Sequence, residues 1–242
     1  MTALSTASGV PAGASLDAGE VHVWTLDVNA VTAANDALAL QLSRDELARA
    51  GGFMLDVHRR RFLASHAFLR SVLGDYLGRP PAALDFGRTA SGKPVLSGDA
   101  GARLHFSLSH SGSSAACAVA REPVGVDIER EQAIPEEAGV AARIFTPGRL
   151  TRWRAEPPER RTRSLLMGWT RFEALAKAQG GGLAHPPEPI DLDGEPDDWQ
   201  TIDDRSGRWS VIALRPAGGI VLSVAVPRGP ARLSVRPWYR KL

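Results

Sequence analysis

Two short segments carry carboxylates spaced to share one divalent cation. In Val124-Gly-Val-Asp-Ile-Glu129, Asp127 and Glu129 lie two residues apart, and in extended backbone such residues face the same side. In Trp169-Thr-Arg-Phe-Glu-Ala-Leu-Ala-Lys177, Glu173 precedes Lys177 by four residues, so on a helix the two are neighbours. A strand pair of acids with a helical acid–base pair can hold a phosphate ester through a hard metal ion. Each segment also has a plainer reading. The acidic pair is then a strand end facing solvent, and the Glu–Lys pair an exposed helical ion pair contributing ~0.3–0.5 kcal/mol.

Two polar turns add anion-binding chemistry. Arg88-Thr-Ala-Ser-Gly-Lys-Pro94 is a glycine-containing turn with two cations; its backbone amides can approach a phosphate while Arg88 and Lys93 supply charge. Leu104-His-Phe-Ser-Leu-Ser-His-Ser-Gly112 runs an apolar strand into a polar end, where Ser109 and His110 can donate to an anion. Ser109 and His110 do not make a catalytic dyad, because adjacent strand residues point to opposite faces. The run Arg59-Arg60-Arg61 reads as a solvated basic helix face. Arginine is used 26 times and lysine three times, at Lys93, Lys177 and Lys241. An ammonium is a compact point charge that the guanidinium fork does not replicate, so two of the three lysines falling in these segments hints at a local requirement.

The elements that must position these residues follow from periodicity and turn signals. Glu20 to Val28, Leu84 to Phe86, Arg103 to Ser109, Ala115 to Ala120 and Val124 to Glu129 read as strands. Ser43 caps a short helix running through Arg49, and Val57 to Leu77 is a long helix stopped by Gly78 with Pro80-Pro81. The pattern then restarts. Glu136 to Ile144 and Pro147 to Trp153 are helical, and Arg160 to Gln179 is a second long helix stopped by Gly180-Gly-Gly182. A short strand is expected at Pro189 to Leu192, and a hairpin from Trp209 to Val226 around Pro216-Ala-Gly-Gly219. The expectation is an α+β chain of two similar halves related by a pseudo-twofold, each a long helix packed on a small antiparallel sheet. The divisions are a disordered tail at 1–19, an N-terminal half at 20–131 and a C-terminal half at 132–242. A ligand cleft is expected between the halves.

Composition bounds the function. An apolar fraction of 43% and a charged fraction of 23% are those of a soluble globular protein. A formal charge of +2 gives no reason to expect nucleic acid. The lone Cys117 excludes an intrachain disulfide framework or a cysteine-rich zinc site and reads as a buried, inert thiol. No run is long enough to span a membrane, and residues 1–20 lack the basic and apolar regions of a secretory signal. A cytoplasmic location is the default.

Gly-Lys-Pro94, then Phe-Ser-Leu-Ser-His-Ser-Gly112, then Val-Gly-Val-Asp-Ile-Glu129, then Trp169-x-x-x-Glu-Ala-x-x-Lys-Ala-x-Gly-x-Gly-Leu183 resemble, in that order, the 4′-phosphopantetheinyl transferases of the surfactin-synthetase-activating (Sfp) type. The resemblance implies an Mg²⁺-dependent enzyme. It would transfer phosphopantetheine from coenzyme A to a serine of an apo acyl or peptidyl carrier protein, releasing 3′,5′-ADP. It also implies a monomer with coenzyme A between its halves. Residue by residue, Asp127, Glu129 and Glu173 would bind Mg²⁺, and Lys177 would contact the pyrophosphate. Arg88, Lys93 and Pro94 would hold the nucleotide, and Ser109, His110 and Arg49 would serve the 3′-phosphate. Glu173 is the candidate base for the serine proton, directly or through water, with Asp127 and Lys177 completing the catalytic set. Many relatives place a lysine where this chain has Phe172, a position taken as peripheral. Two other readings use the same residues differently: a metal-dependent phosphoesterase or nucleotide pyrophosphatase with water as nucleophile, and a non-enzymatic carrier-binding module.

Overall fold

The computed structural model describes residues 16–181, 186–193, 196–216, 218–229 and 231–238. In chain order the elements are β1 (Glu20–Asp27), α1 (Asn35–Ala39), α2 (Arg44–Gly51), α3 (Asp56–Leu77), β2 (Phe86–Arg88), β3 (Pro94–Leu96), α4 (Asp99–Arg103), β4 (His105–Ser111) and β5 (Ser114–Ala120). They continue with β6 (Gly125–Arg130), α5 (Glu137–Ile144), α6 (Pro147–Ala155), α7 (Pro158–Gln179), β7 (Gln200–Asp204), β8 (Gly207–Leu214), β9 (Ile220–Pro227) and β10 (Arg232–Pro237). The fold is α+β, as expected, and the chain forms two compact units.

The first unit combines the chain through Gly87, Val95–Arg121 and the segment from Arg232 onward. Its sheet has the order β10-β1-β5-β4, with Phe68, Leu73 and the Trp24 ring fully buried in its core. The long helix α3 ends at Gly78, whose φ of 62° is open to glycine at little cost. Ser43 and Glu46 form a reciprocal capping box at the start of α2. The same Glu46 carboxylate takes the Nε–H of Arg70 at 2.8 Å. Arg70 is itself buried and donates to the Pro81 and Leu84 carbonyls. One side chain therefore ties α2 and α3 to the turn that follows.

The second unit combines Arg88–Pro94 with Glu122–Ala231. Its sheet is antiparallel throughout, in the order β6-β9-β8-β7, and α7 packs on β6 and β9. Glycines permit the close contacts of α7 with β6 and with the end of α5. A Cβ at Gly125 would overlap the Ala174 carbonyl oxygen, and one at Gly168 would strike the Phe145 ring.

Four expectations change. The division falls at Arg121/Glu122 rather than at 131, because β6 pairs with β9 along its whole length. The last segment rejoins the first unit, where β10 lies parallel to β1, so that sheet is mixed rather than antiparallel. Burial explains the return: Val235 and Trp238 are apolar, and Trp238 sits edge-on to Trp24 and Phe68. The expected tail at 1–19 includes residues 1–15, which lie outside the described residues. Leu16, however, is buried in the first core. Finally, the strand expected at Pro189 to Leu192 is a single bridge between Ile190 and Phe145. Gly182, Leu183 and Ala217 also lie outside the described residues. Among those described, no helix is long and apolar enough to cross a membrane.

Candidate functional site

The candidate carboxylates and Lys177 come from one strand and one helix of the second unit. β6 runs buried from Gly125 to Ile128 and emerges at Glu129 and Arg130. Asp127 is only 4% exposed, which settles its plainer reading as a solvent-facing strand end. α7 buries one flank and leaves Glu173 and Lys177 half-buried, one turn apart. The close approach at Gly125 brings these faces together. Lys177 Nζ lies 2.6 Å from Asp127 Oδ1. The helical pairing of Lys177 with Glu173 is thus not the main contact; the lysine reaches across to the strand.

Charge converges around Glu173. Burial raises its carboxyl above the usual carboxylate range, and the Asp127 charge raises it further. Lys177 and Arg143 pull it down, and Glu129 adds a smaller upward push. Glu173 therefore feels both of the other expected carboxylates. Arg143, at the end of α5, is a cation of this site that sequence reasoning missed. Its place in the last turn of a short helix gave no sign that it faces Glu173.

The donor set is all oxygen, which suits a small hard cation. Among the described residues, no three His, Cys, Asp or Glu groups are gathered closely enough to hold an ion by themselves. That is compatible with Mg²⁺, which keeps several waters and takes substrate phosphate oxygens to fill its octahedron. Phe172 is a core residue, 3% exposed and in the core cluster that also holds Leu175 and Trp153. The position taken as peripheral is an interior one, and an apolar ring there fits its burial.

The turn at 88–94 is a tight hairpin tip. Arg88 Nη1 donates to the Gly92 carbonyl at 2.9 Å, Thr89 N–H to the Lys93 carbonyl at 2.9 Å, and Lys93 N–H to Thr89 Oγ1 at 3.1 Å. Arg88 and Pro94 are exposed. Lys93 is not: its ammonium donates to the carbonyls of Lys177 at 2.6 Å and Val124 at 3.1 Å. Burial pushes its amine down to about 8.

The first unit holds the remaining residues. Ser109 is buried and His110 exposed, as alternation along β4 requires. Arg49, exposed in the last turn of α2, lies 5.2 Å over the Phe62 ring. His66 stacks on the same ring at 3.8 Å and bonds through Nδ1 to the Phe62 carbonyl at 3.0 Å. Burial pushes His66 down to about 4. Glu46 and the Phe62 carbonyl oppose that shift, while Arg49 and His110 add to it. Arg49, His66 and His110 thus lie together, from α2, α3 and β4, with Arg49 the fixed cation and His66 an uncharged ring near neutral pH. The sequence pointed to two of these; His66 was hidden in the helical pattern of 57–77.

A family model described as the 4′-phosphopantetheinyl transferase superfamily matches residues 123–225, and one described as 4′-phosphopantetheinyl transferase, N-terminal, matches residues 30–122. The 4′-phosphopantetheinyl transferase HetI of Nostoc sp. (strain PCC 7120) is 36% identical over 228 residues, covering 89% of this chain and 91% of that protein. The chain belongs to the 4′-phosphopantetheinyl transferase superfamily. The 4′-phosphopantetheinyl transferase Sfp of Bacillus subtilis (strain 168) is 30% identical over 60% of the chain and 68% of that protein. A further 4′-phosphopantetheinyl transferase of Bacillus subtilis is 33% identical over 52% of the chain and 59% of that protein. The chain is an enzyme of this transferase class and of its Sfp type. Asp127, Glu129, Glu173 and Lys177 lie in the stretch matched by the superfamily model, and Arg49, Arg88, Lys93, Pro94, Ser109 and His110 in the stretch matched by the N-terminal one.

Proposed function

We propose that this transferase moves 4′-phosphopantetheine from coenzyme A to a serine hydroxyl of an apo acyl or peptidyl carrier protein, with Mg²⁺ bound. The observation that carries the reading is the convergence of Asp127, Glu129, Glu173 and Lys177 where β6 meets α7. Asp127, Glu129 and Glu173 would hold the ion together with pyrophosphate oxygens and water. When bound, the ion neutralises charge that develops on the pyrophosphate.

The chain's own groups then have distinct tasks. Lys177, held on Asp127, places a positive charge beside the pyrophosphate. Glu173 accepts the serine proton, directly or through water. The serine Oγ forms a bond to the phosphorus that carries pantetheine. The bond from that phosphorus to the bridging oxygen breaks, and 3′,5′-ADP leaves with the electron pair. Arg49, His66 and His110 of the first unit, together with Ser109, are assigned to the 3′-phosphate. Arg88 and Pro94 at the hairpin tip are assigned to the nucleotide. We read the protein as a cytoplasmic monomer.

The test is intact-protein mass spectrometry of a panel of apo carriers incubated with the enzyme, coenzyme A and Mg²⁺. The expected result is one phosphopantetheine added to one serine, with loss of the product in chelator. Free phosphopantetheine released without a carrier would instead mean that water is the nucleophile. Unmodified carriers throughout, with folded enzyme, would end the proposal.

A further inference from the structure

The hairpin tip does something its resemblance-based role does not describe. A helix leaves its last four carbonyls without partners inside the helix. In α7 the Lys177 carbonyl is one of these, and it takes the ammonium of Lys93 at 2.6 Å. The Gly180 carbonyl, on the capping residue held at φ 79°, takes the hydroxyl of Ser91. The same Lys93 ammonium also binds the Val124 carbonyl at 3.1 Å, one residue before β6 begins. One tip therefore closes the end of α7 and fastens it to the start of β6.

What is fastened there is the candidate site. Asp127 follows Val124 by three residues, and its partner is the side chain of Lys177, the residue whose carbonyl Lys93 holds. Along its length α7 is held on its sheet by Thr170 on Ser223 and by Lys177 on Asp127. At Gly125 the strand meets the backbone of Ala174 and Ala178 directly. The tip adds bonds at the end of this contact, where helix and strand are both open to it. A lysine suits the task, since a compact ammonium can sit between two carbonyl oxygens and a planar guanidinium cannot fit there in the same way. Burial pushes its amine down to about 8, and its contacts here are hydrogen bonds donated to carbonyl oxygens.

We propose that Lys93 and Ser91 form a latch that sets the register of α7 on β6, so that Lys93 is a positioning residue for Asp127, Glu173 and Lys177 and not a ligand of the nucleotide. The inference rests on the reading of those three residues as the transfer site. The variants are Lys93→Met, Lys93→Gln and Ser91→Ala in the full chain. The readouts are hydrogen exchange across 174–180 and steady-state transfer with coenzyme A varied.

In Lys93→Met, exchange at the end of α7 accelerates and kcat falls at least about tenfold, as expected for a misplaced site. KM for coenzyme A stays within about twofold, since no substrate contact is removed. Lys93→Gln keeps two N–H donors without the charge and recovers most of both losses. Ser91→Ala shifts exchange and kcat the same way by less. A raised KM with kcat retained, and Gln as poor as Met, would show a charge contact to substrate and overturn the latch. Unchanged exchange in both Lys93→Met and Ser91→Ala would overturn it as well. Should wild type modify no carrier, the proposed function fails, and hydrogen exchange still decides the latch.

Discussion

Replacing Gly125 by alanine tests whether the close approach of α7 to β6 builds the site. The added Cβ would overlap the Ala174 carbonyl oxygen and lie 2.5 Å from the Ala178 nitrogen. Both are helix backbone, so no rotamer change relieves the contact, and α7 must lift from the strand by about 1 Å. Overpacking of this kind costs about 1–3 kcal/mol. Unyielding backbone places this site at the upper end, while alanine recovers about 0.5–1 kcal/mol of backbone entropy that glycine loses on folding. The net cost is about 2 kcal/mol, which lowers Tm by roughly 4–8 °C for a chain of this size. The same shift pulls Lys177 Nζ from its 2.6 Å contact with Asp127, and a 1 Å misplacement costs about a hundredfold in rate. Gly139 in α5 is the control, because its Cβ would meet open space; Gly139→Ala gains about 0.5–1 kcal/mol from helix propensity. Urea unfolding and transfer rates on both variants give the answer. A Gly125→Ala protein within 0.5 kcal/mol of wild type and with full activity would refute the reasoning.

Lys177→Ala removes the ammonium from a buried Asp127 carboxylate and lowers stability by about 1.5–3 kcal/mol, the loss of a hydrogen bond to a charged group. Single-turnover transfer at saturating coenzyme A falls with it, and Lys177→Arg recovers only part; wild-type rates in Lys177→Ala would exclude a role in the chemical step. His110→Ala lowers kcat/KM for coenzyme A more than for dephospho-coenzyme A, which lacks the 3′-phosphate, and an unchanged ratio would remove His110 from that contact. His66 is held down to about 4 in the fold against 6.5 when free, so between those values the unfolded chain binds the extra proton. The stability present above pH 6.5 is lost as pH falls towards 4, by up to about 3 kcal/mol. His66→Leu flattens that slope in urea titrations, leaving the smaller part due to His22, which burial also lowers; an identical slope would show that His66 is not the group responsible.

Much of this was legible because local chemistry and tertiary demand agree. Apolar positions along 57–77 and 160–179 announced α3 and α7, and the glycines at 78 and 180 stop both helices in the left-handed region. Ser43 with Glu46 announced α2. The alternation of Asp127 and Glu129, and the four-residue step from Glu173 to Lys177, put these residues on a strand and a helix that the fold packs together. Partnerships across the fold were less visible. Nothing near Lys177 says that its ammonium goes to Asp127 on a strand 50 residues earlier, and nothing near Lys93 says that its ammonium goes to carbonyls. β10 was missed because Arg232-Leu-Ser-Val-Arg-Pro237 is short and charged, and its partner lies at the other end of the chain. Phe172 was read from its departure from a motif, whereas its burial is decided by its place in the core cluster that also holds Leu175 and Trp153.

The pairing of β10 with β1 also governs how the protein can be made. On the ribosome β1 emerges early, and its neighbour β10 follows more than two hundred residues later. The second unit from Glu122 to Ala231 is synthesised complete within that interval, and distant pairings of this kind form slowly because loop closure precedes any gain. Until Arg232 to Trp238 arrives, β1 presents an open edge, and Trp24 and Phe68 lack the ring that packs on them. Such an edge is a template for pairing with other chains. Nascent chains halted before residue 232 should therefore aggregate or recruit chaperones through the first unit, while the second is already folded.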